Sequence, residues 1–156
     1  MNFHFVPMND SRARAVADWH DDVEFVFYGF DRDPEDWGEL LDPRRRKERY
    51  FAVLDDFNEL VGLFCFEPAG DSLELGLGLA PRYTGRGLGA GFVAAGMAFA
   101  RKRCRPRRFS LKVAAFNRRA IRVYERLGFR TERTFPRETN GGEFEFVSMV
   151  REEDTN

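Results

Sequence analysis

Cysteine is scarce in this 156-residue chain, which has only Cys65 and Cys104 and no C-x-x-C pair. Two isolated thiols build neither a disulfide framework nor a cysteine-rich zinc site, and they read as free cysteines of a cytoplasmic protein. Histidine is as rare. His4 and His20 are separated by a helical stretch with no cysteine at ligand spacing beside either, so no metal is expected and both read as strand or surface residues. No apolar run is long enough to span a bilayer and no leader with a basic start and an apolar core is present, so no membrane association is expected. An excess charge of one sign is also missing. The 25 Lys and Arg residues face 26 Asp and Glu residues, which gives no general reason to bind nucleic acid. No repeat, linker or low-complexity tract divides the chain, so residues 1–156 are expected to form one domain.

Glycine, by contrast, is concentrated where it has chemical meaning. Leu73-Glu74-Leu75-Gly76-Leu77-Gly78-Leu79 alternates at the strand period, and Pro81, lacking a ladder donor, ends it. Leu88, Phe92, Ala95 and Phe99 then recur at helical spacing. Between them, Arg82-Tyr83-Thr84-Gly85-Arg86-Gly87-Leu88-Gly89-Ala90 is a strand-to-helix junction stripped of side chains at alternate positions. Backbone N–H groups converge there, and a helix N-terminus adds unpaired donors and partial positive charge. The junction is a cradle for a phosphate or pyrophosphate. The spacing excludes two common nucleotide loops. A dinucleotide fingerprint needs its third glycine one residue later, and a mononucleotide P-loop needs a Gly-Lys-Ser or Gly-Lys-Thr that is absent here.

Phenylalanine is abundant, at 17 residues, so several rings must line a core or pocket. Phe3 to Pro7 reads as a first strand with Phe3 and Phe5 on one face, followed by a helix through about Trp19 capped by Asn9, Asp10 or Ser11. The stretch from Asp21 to Asp42 reads as an aromatic and acidic connection. It either closes one edge of the core or faces a substrate, with Phe25, Phe27, Tyr28 and Trp37 as a wall and Glu24 or Asp31 receiving a cation. Arg44 to Arg49 is a basic cluster read as solvated helix surface. Tyr50–Leu54 and Leu60–Phe66 are successive strands that, with Leu73–Leu79, make an antiparallel meander. Phe109–Ala115 returns after the central helix as a strand parallel to Leu73–Leu79, through a right-handed crossover.

A second informative block is Asn117-Arg118-Arg119-Ala120-Ile121-Arg122-Val123-Tyr124-Glu125-Arg126-Leu127-Gly128-Phe129. Ala120, Val123, Tyr124 and Leu127 share a helical face, Asn117 caps the start and Gly128 stops the helix. Phe129 opens a further apolar segment, and Asn140-Gly141-Gly142 reads as a turn before a strand over Glu143–Val147.

Together the two blocks, from Pro81 to Ala90 and from Asn117 to Phe129, resemble the acyl-CoA loop and the Asn-x-x-Ala-x-x-x-Tyr-x-x-x-Gly-Phe segment of the GCN5-related N-acetyltransferase family. The resemblance covers most of the chain and is weakest from Asp21 to Arg49. It implies an α/β fold with a mixed, mostly antiparallel sheet flanked by helices, splayed between its fourth and fifth strands to admit acetyl-CoA. It implies that amides around Thr84, Gly85, Arg86, Gly87, Leu88, Gly89 and Ala90 receive the pyrophosphate, that Leu77 and Leu79 border pantetheine, and that Asn117 contacts the cofactor or starts its helix. Thr84 departs from the family pattern, which usually has Arg or Gln there; Arg82 and Arg86 are the cations near enough in sequence to meet phosphate.

By the same resemblance Tyr124 is the general acid toward the CoA sulfur, and Glu74 stands where several members carry a glutamate that takes the amine proton. The implied reaction is direct acetyl transfer from acetyl-CoA to a primary amine. The rings and acids of the Asp21–Asp42 stretch favour a small amine with apolar surface over a peptide amine. A non-catalytic acyl-CoA sensor and an acetyltransferase of protein N-termini or lysines are the alternatives. The sequence leaves monomer and homodimer both open.

Overall fold

The computed structural model describes residues 1–21, 34–139 and 142–153, apart from the side chains of residues 20, 21, 34–37 and 139. A seven-stranded sheet runs through it in the order β1-β2-β3-β4-β5-β7-β6. Its strands are β1 (His4–Pro7), β2 (Tyr50–Leu54), β3 (Leu60–Ala69), β4 (Ser72–Leu79), β5 (Arg108–Ala114), β6 (Arg130–Thr139) and β7 (Gly142–Glu152). Neighbouring strands are antiparallel except β4 and β5. The helices are α1 (Asp10–Ala17), α2 (Pro34–Leu41), α3 (Pro43–Arg46), α4 (Gly89–Cys104) and α5 (Arg118–Arg126). The mixed, mostly antiparallel sheet flanked by helices is the architecture expected from the sequence.

Strand alternation sorts the side chains between two layers. Leu73, Leu75, Leu77 and Leu79 of β4 join Phe64, Phe92, Met97, Phe109 and Tyr124 in the larger core, on the face covered by α4 and α5. Tyr50, Ala52 and Leu63 face the other way and pack with Ala13 and Val16 of α1 and Leu40 of α2. Helix α4 sits unusually close to the sheet because Gly96 has no side chain: a Cβ there would lie 2.2 Å from the Phe64 ring. That ring is in turn packed by Phe5, Phe66 and Phe92. Fully burying one such aromatic contributes about 1.5–3 kcal/mol.

Several sequence expectations change here. Helix α2 occupies part of the stretch read as an irregular connection, with Pro34 at its first turn, where a missing N–H costs nothing. Residues 22–33, carrying Glu24, Phe25, Phe27, Tyr28 and Asp31, and the side chain of Trp37 lie outside the described residues, as does most of the Asn140–Gly142 turn. The basic cluster is not wholly solvated. Arg46 is buried and donates to Asp10 Oδ1 at 2.5 Å and to the Leu40 carbonyl at 3.2 Å, tying α3 to α1 and α2. Arg49 is half-buried between Glu39 (3.3 Å) and Glu67 (3.1 Å). Helix α1 is capped by Asn9, whose side chain accepts from the Arg12 N–H. His4 shares a 2.7 Å hydrogen bond with Asp56 at the surface, and both cysteines are free.

Candidate functional site

Strands β4 and β5 pair at only three rungs: Ser72 with Arg108, Leu73 with Phe109, and Glu74 with Ser110. Beyond Glu74 no described strand pairs with the free edge of β4, while β5 stays paired with β7 as far as Ala114. The sheet therefore splits, and the split opens toward the glycine junction at the end of β4. Unpaired main-chain groups of a strand edge are ready partners for an extended ligand bearing amides.

At the head of the split the junction has two parts. Pro81–Tyr83 makes a single 3-10 turn, closed by Thr84, whose N–H and hydroxyl both donate to the Pro81 carbonyl, at 3.2 and 2.8 Å. Gly85 and Gly87 then take φ values of 72° and 73°, a left-handed backbone that other residues resist. Helix α4 starts at Gly89 with no side-chain cap, so its first N–H groups lack an intrahelical acceptor and point into the junction. The sixteen residues of α4 place the positive end of a long helix there.

Two features brace the junction from the protein side. The Tyr83 hydroxyl donates to Asp55 Oδ2 at 3.2 Å, and Asp55 Oδ1 accepts from the N–H groups of Phe57 and Glu59 at 2.8 and 3.0 Å. Burial pushes the Asp55 carboxyl up, but those three donors outweigh it and hold it below the usual carboxylate range. Arg82 and Arg86 lie over the Tyr83 ring at 5.0 and 5.8 Å. Arg82 also pairs with Glu59 at 3.1 Å, so one of the two cations expected to meet phosphate is engaged elsewhere in this structure.

A different arginine stands at the cradle. The Arg119 guanidinium reaches within 4.0 Å of where a Gly85 Cβ would be. Helix α5 positions it, and the sequence reading gave it no role because it followed only the apolar face of Ala120, Val123, Tyr124 and Leu127 and the cap at Asn117. Its place two residues after the capping Asn117 is the signal that was available.

Asn117 is buried at the start of α5, where its Oδ1 accepts from the Ala120 N–H at 3.2 Å. Its Nδ2 is buried with no hydrogen-bond partner, a donor left over beside the split. Two turns further on, Tyr124 is 3% exposed and meets Phe129 edge to face at 5.9 Å. A narrow cleft is lined by Leu77, Gly89, Phe92, Arg119, Ala120 and Tyr124, joining β4, the start of α4 and α5.

Glu74 is on the opposite face of β4 from Leu77, together with Gly76 and Gly78. Its carboxylate forms a 3.1 Å ion pair with Lys112 of β5 and remains partly exposed. The split thus has Tyr124 on its helical side and Glu74 on its other side, where β4 carries no side chain at Gly76, which is partly exposed, or at Gly78, which is buried. Leu77 and Leu79 keep their side chains in the core, and only their main chain is available at the edge. Leu88, Ala90 and Arg86 complete the junction, Arg86 being exposed. Among the described residues no cluster of three or more metal-ligating side chains occurs, and no helix is long and apolar enough to cross a membrane.

The residues of the split fit acetyl-CoA: a glycine cradle with an uncapped helix end for pyrophosphate, an open strand edge for an amide-bearing arm, and an orphaned buried donor at Asn117. Comparison with known proteins bears on the same point. The model of the acetyltransferase (GNAT) family matches residues 13–129. No curated protein matches the sequence significantly. Among solved structures, a spermidine N-acetyltransferase from Vibrio cholerae in complex with CoA and spermine is 21% identical with a TM-score of 0.79, covering 95% of this chain and 94% of that one. A chimera of that enzyme with hSSAT gives 19% identity and a TM-score of 0.80 over 97% and 96% of the two chains. A GNAT acetyltransferase from Bacillus anthracis gives 18% and 0.76 over 97% and 95%. At these identities the structural likeness establishes the fold.

Proposed function

Because the chain belongs to the acetyltransferase (GNAT) family and is an acetyl-CoA-dependent acetyltransferase, we propose that it transfers acetyl directly to a primary amine in the split between β4 and β5, with Tyr124 as general acid and Glu74 as general base. The observation that carries this reading is the three-rung pairing of β4 and β5, which leaves an opening flanked by those two residues.

Acetyl-CoA supplies an activated acyl carbon and a thiol leaving group. The chain's own groups do the rest. Amides of Gly85 to Ala90 and the N-terminus of α4 hold the pyrophosphate, assisted by Arg119, while the Thr84 N–H stays with the Pro81 carbonyl. The free edge of β4 at Leu77 and Leu79 and the Asn117 Nδ2 hold the pantetheine arm. Glu74 takes a proton from the incoming ammonium, since only the neutral amine attacks. Tyr124 gives its phenolic proton to the departing sulfur. The acceptor enters over Gly76 and Gly78, on the face opposite α4 and α5.

A small amine suits this mouth better than a folded protein surface. Past the last rung β4 presents no side chain on that face, at Gly76 and Gly78, and the neighbouring carboxylates Glu67 and Glu74, which pair with Arg49 and Lys112 in the free protein, would exchange those partners for a compact cation. The relatives whose structures contain or are described by spermidine and spermine make polyamines the first acceptors to assay, ahead of arylalkylamines and basic peptides. Steady-state thiol release with Tyr124→Phe tests the assignment. The variant is expected to lose about 10²-fold or more in kcat with the KM for acetyl-CoA little changed; turnover equal to that of the parent enzyme would sink the acid role.

A further inference from the structure

Lysine is nearly absent from this chain: Lys47, Lys102 and Lys112 are the only three among 25 basic residues, the rest being arginine. The distinction is chemical. A guanidinium stays protonated, whereas a lysine amine becomes an acyl acceptor once it loses a proton. Lys47 and Lys102 are exposed, after α3 and near the end of α4.

Lys112 is placed differently. It lies on β5 two residues past Ser110, the last residue paired with β4, and shares the face of Glu74. Its Nζ is 3.1 Å from Glu74 Oε1, so the ion pair bridges the split immediately beyond the last rung. Charged residues near it on this face have partners of their own: Glu67 pairs with Arg49, and Arg108 with Glu152 and Glu132. Lys112 thus sets a primary amine within hydrogen-bond reach of the proposed base, on the side from which an acceptor enters. That is the geometry a general base needs toward the amine it deprotonates.

We propose that Lys112 is an internal acyl acceptor and that the enzyme acetylates it when no amine substrate is present. The proposal rests on the reading of Glu74 as base. The proton of Nζ passes to Glu74, and the nitrogen lone pair forms a bond to the acetyl carbonyl carbon. The carbon–sulfur bond breaks, the sulfur takes the Tyr124 proton, and the second nitrogen proton, released as the amide forms, returns the Tyr124 phenolate to the phenol. The products are N-acetyl-Lys112 and CoA. The reaction stops at one acetyl group per chain, removes the charge of Lys112 and leaves Glu74 without its cation. A free amine competes for the same acyl group.

The test incubates the full chain with radiolabelled acetyl-CoA in the absence of amine, followed by intact mass and peptide mapping. The same preparation is assayed in parallel for thiol release with spermidine, phenethylamine and a basic peptide. Label is expected at Lys112 up to one per chain, with a rate independent of protein concentration. It should disappear in Lys112→Arg, fall at least tenfold in Glu74→Gln, persist in Lys47→Arg and Lys102→Arg, and be suppressed by any amine that turns over. An unlabelled Lys112 in a preparation that acetylates an added amine would overturn the proposal and leave the transferase reading standing. Labelling of Lys112 at the parent rate in Glu74→Gln would overturn it as uncatalysed chemistry. No thiol release with any amine and no label would defeat both the proposal and the base assignment.

Discussion

Gly87→Ala separates two properties of the glycine junction that are easily confused, room in the fold and room for a ligand. In the free protein nothing lies within 4 Å of a Cβ built on Gly87, so the added methyl meets no atom. What remains is the backbone: φ is 73°, and an L-residue in that left-handed region costs roughly 1–2 kcal/mol. For a chain of this size that lowers Tm by a few degrees, about 2–4 °C per kcal/mol. The ligand sees more. If the space beside Gly87 is where phosphate oxygens lie, the methyl displaces one charge-assisted hydrogen bond, at about 1.5–3 kcal/mol. At about 1.4 kcal/mol per factor of ten, the KM for acetyl-CoA should rise on the order of ten- to a hundredfold, with the KM for the amine unchanged. Gly70→Ala is the control: its φ is 62°, its surroundings are equally empty, and it lies in the β3–β4 turn at the opposite end of β4. Both variants should lose similar Tm, and only Gly87→Ala should lose acetyl-CoA. Equal Tm losses with an unchanged acetyl-CoA KM in both would refute the assignment of the cradle.

Tyr83→Phe removes the hydroxyl that ties the junction to Asp55; the KM for acetyl-CoA should rise several-fold with kcat nearly constant, and amide hydrogen exchange should quicken from Thr84 to Gly91. Asp10 is held below the usual carboxylate range by the hydrogen bond and charge of Arg46, with burial opposing and Arg14 assisting. Its stabilising contribution is therefore present at neutral pH and is lost as the pH falls below its unfolded value, about 4, and through its lower folded value. Asp10→Asn should lower Tm at pH 7 and flatten the loss of Tm with acid below about pH 4, which a series of thermal melts against pH checks.

Much of this molecule was readable because periodicity, caps and turns agreed. Leu73 to Leu79, Asn9, Asn117 and Gly128 each carry a local signal that tertiary structure had no reason to override. Strand β6 was less legible. Arg130 to Thr139 is a polar edge strand with a proline and a register shift, so it lacks the alternation of a strand buried on one face. Helix α2 was hidden by the aromatic and acidic residues around it. At the site, the glycine cradle could be named from spacing, and Tyr124, Glu74 and Asn117 as candidates from the family resemblance that the two blocks carry. Which cation stands at the cradle could not, because Arg82 finds Glu59 and Arg119 arrives from a helix some thirty residues on, a choice made by packing. The same holds for Lys112, whose nearness to Glu74 depends on where β5 joins β4.

The three rungs between β4 and β5 also bear on how the reaction ends. Any molecule that lines the free edge of β4 and rests against α5 stitches the two halves of the sheet together. Its affinity then appears as resistance to unfolding, about 2.7 kcal/mol at a hundredfold excess over Kd. CoA keeps both the pyrophosphate and the pantetheine arm after the acetyl group has gone, so the stitch survives catalysis. With only three rungs of β4–β5 pairing among the described residues, the proposed reaction is expected to be limited by departure of CoA, which a burst of acetyl transfer ahead of the steady state would show.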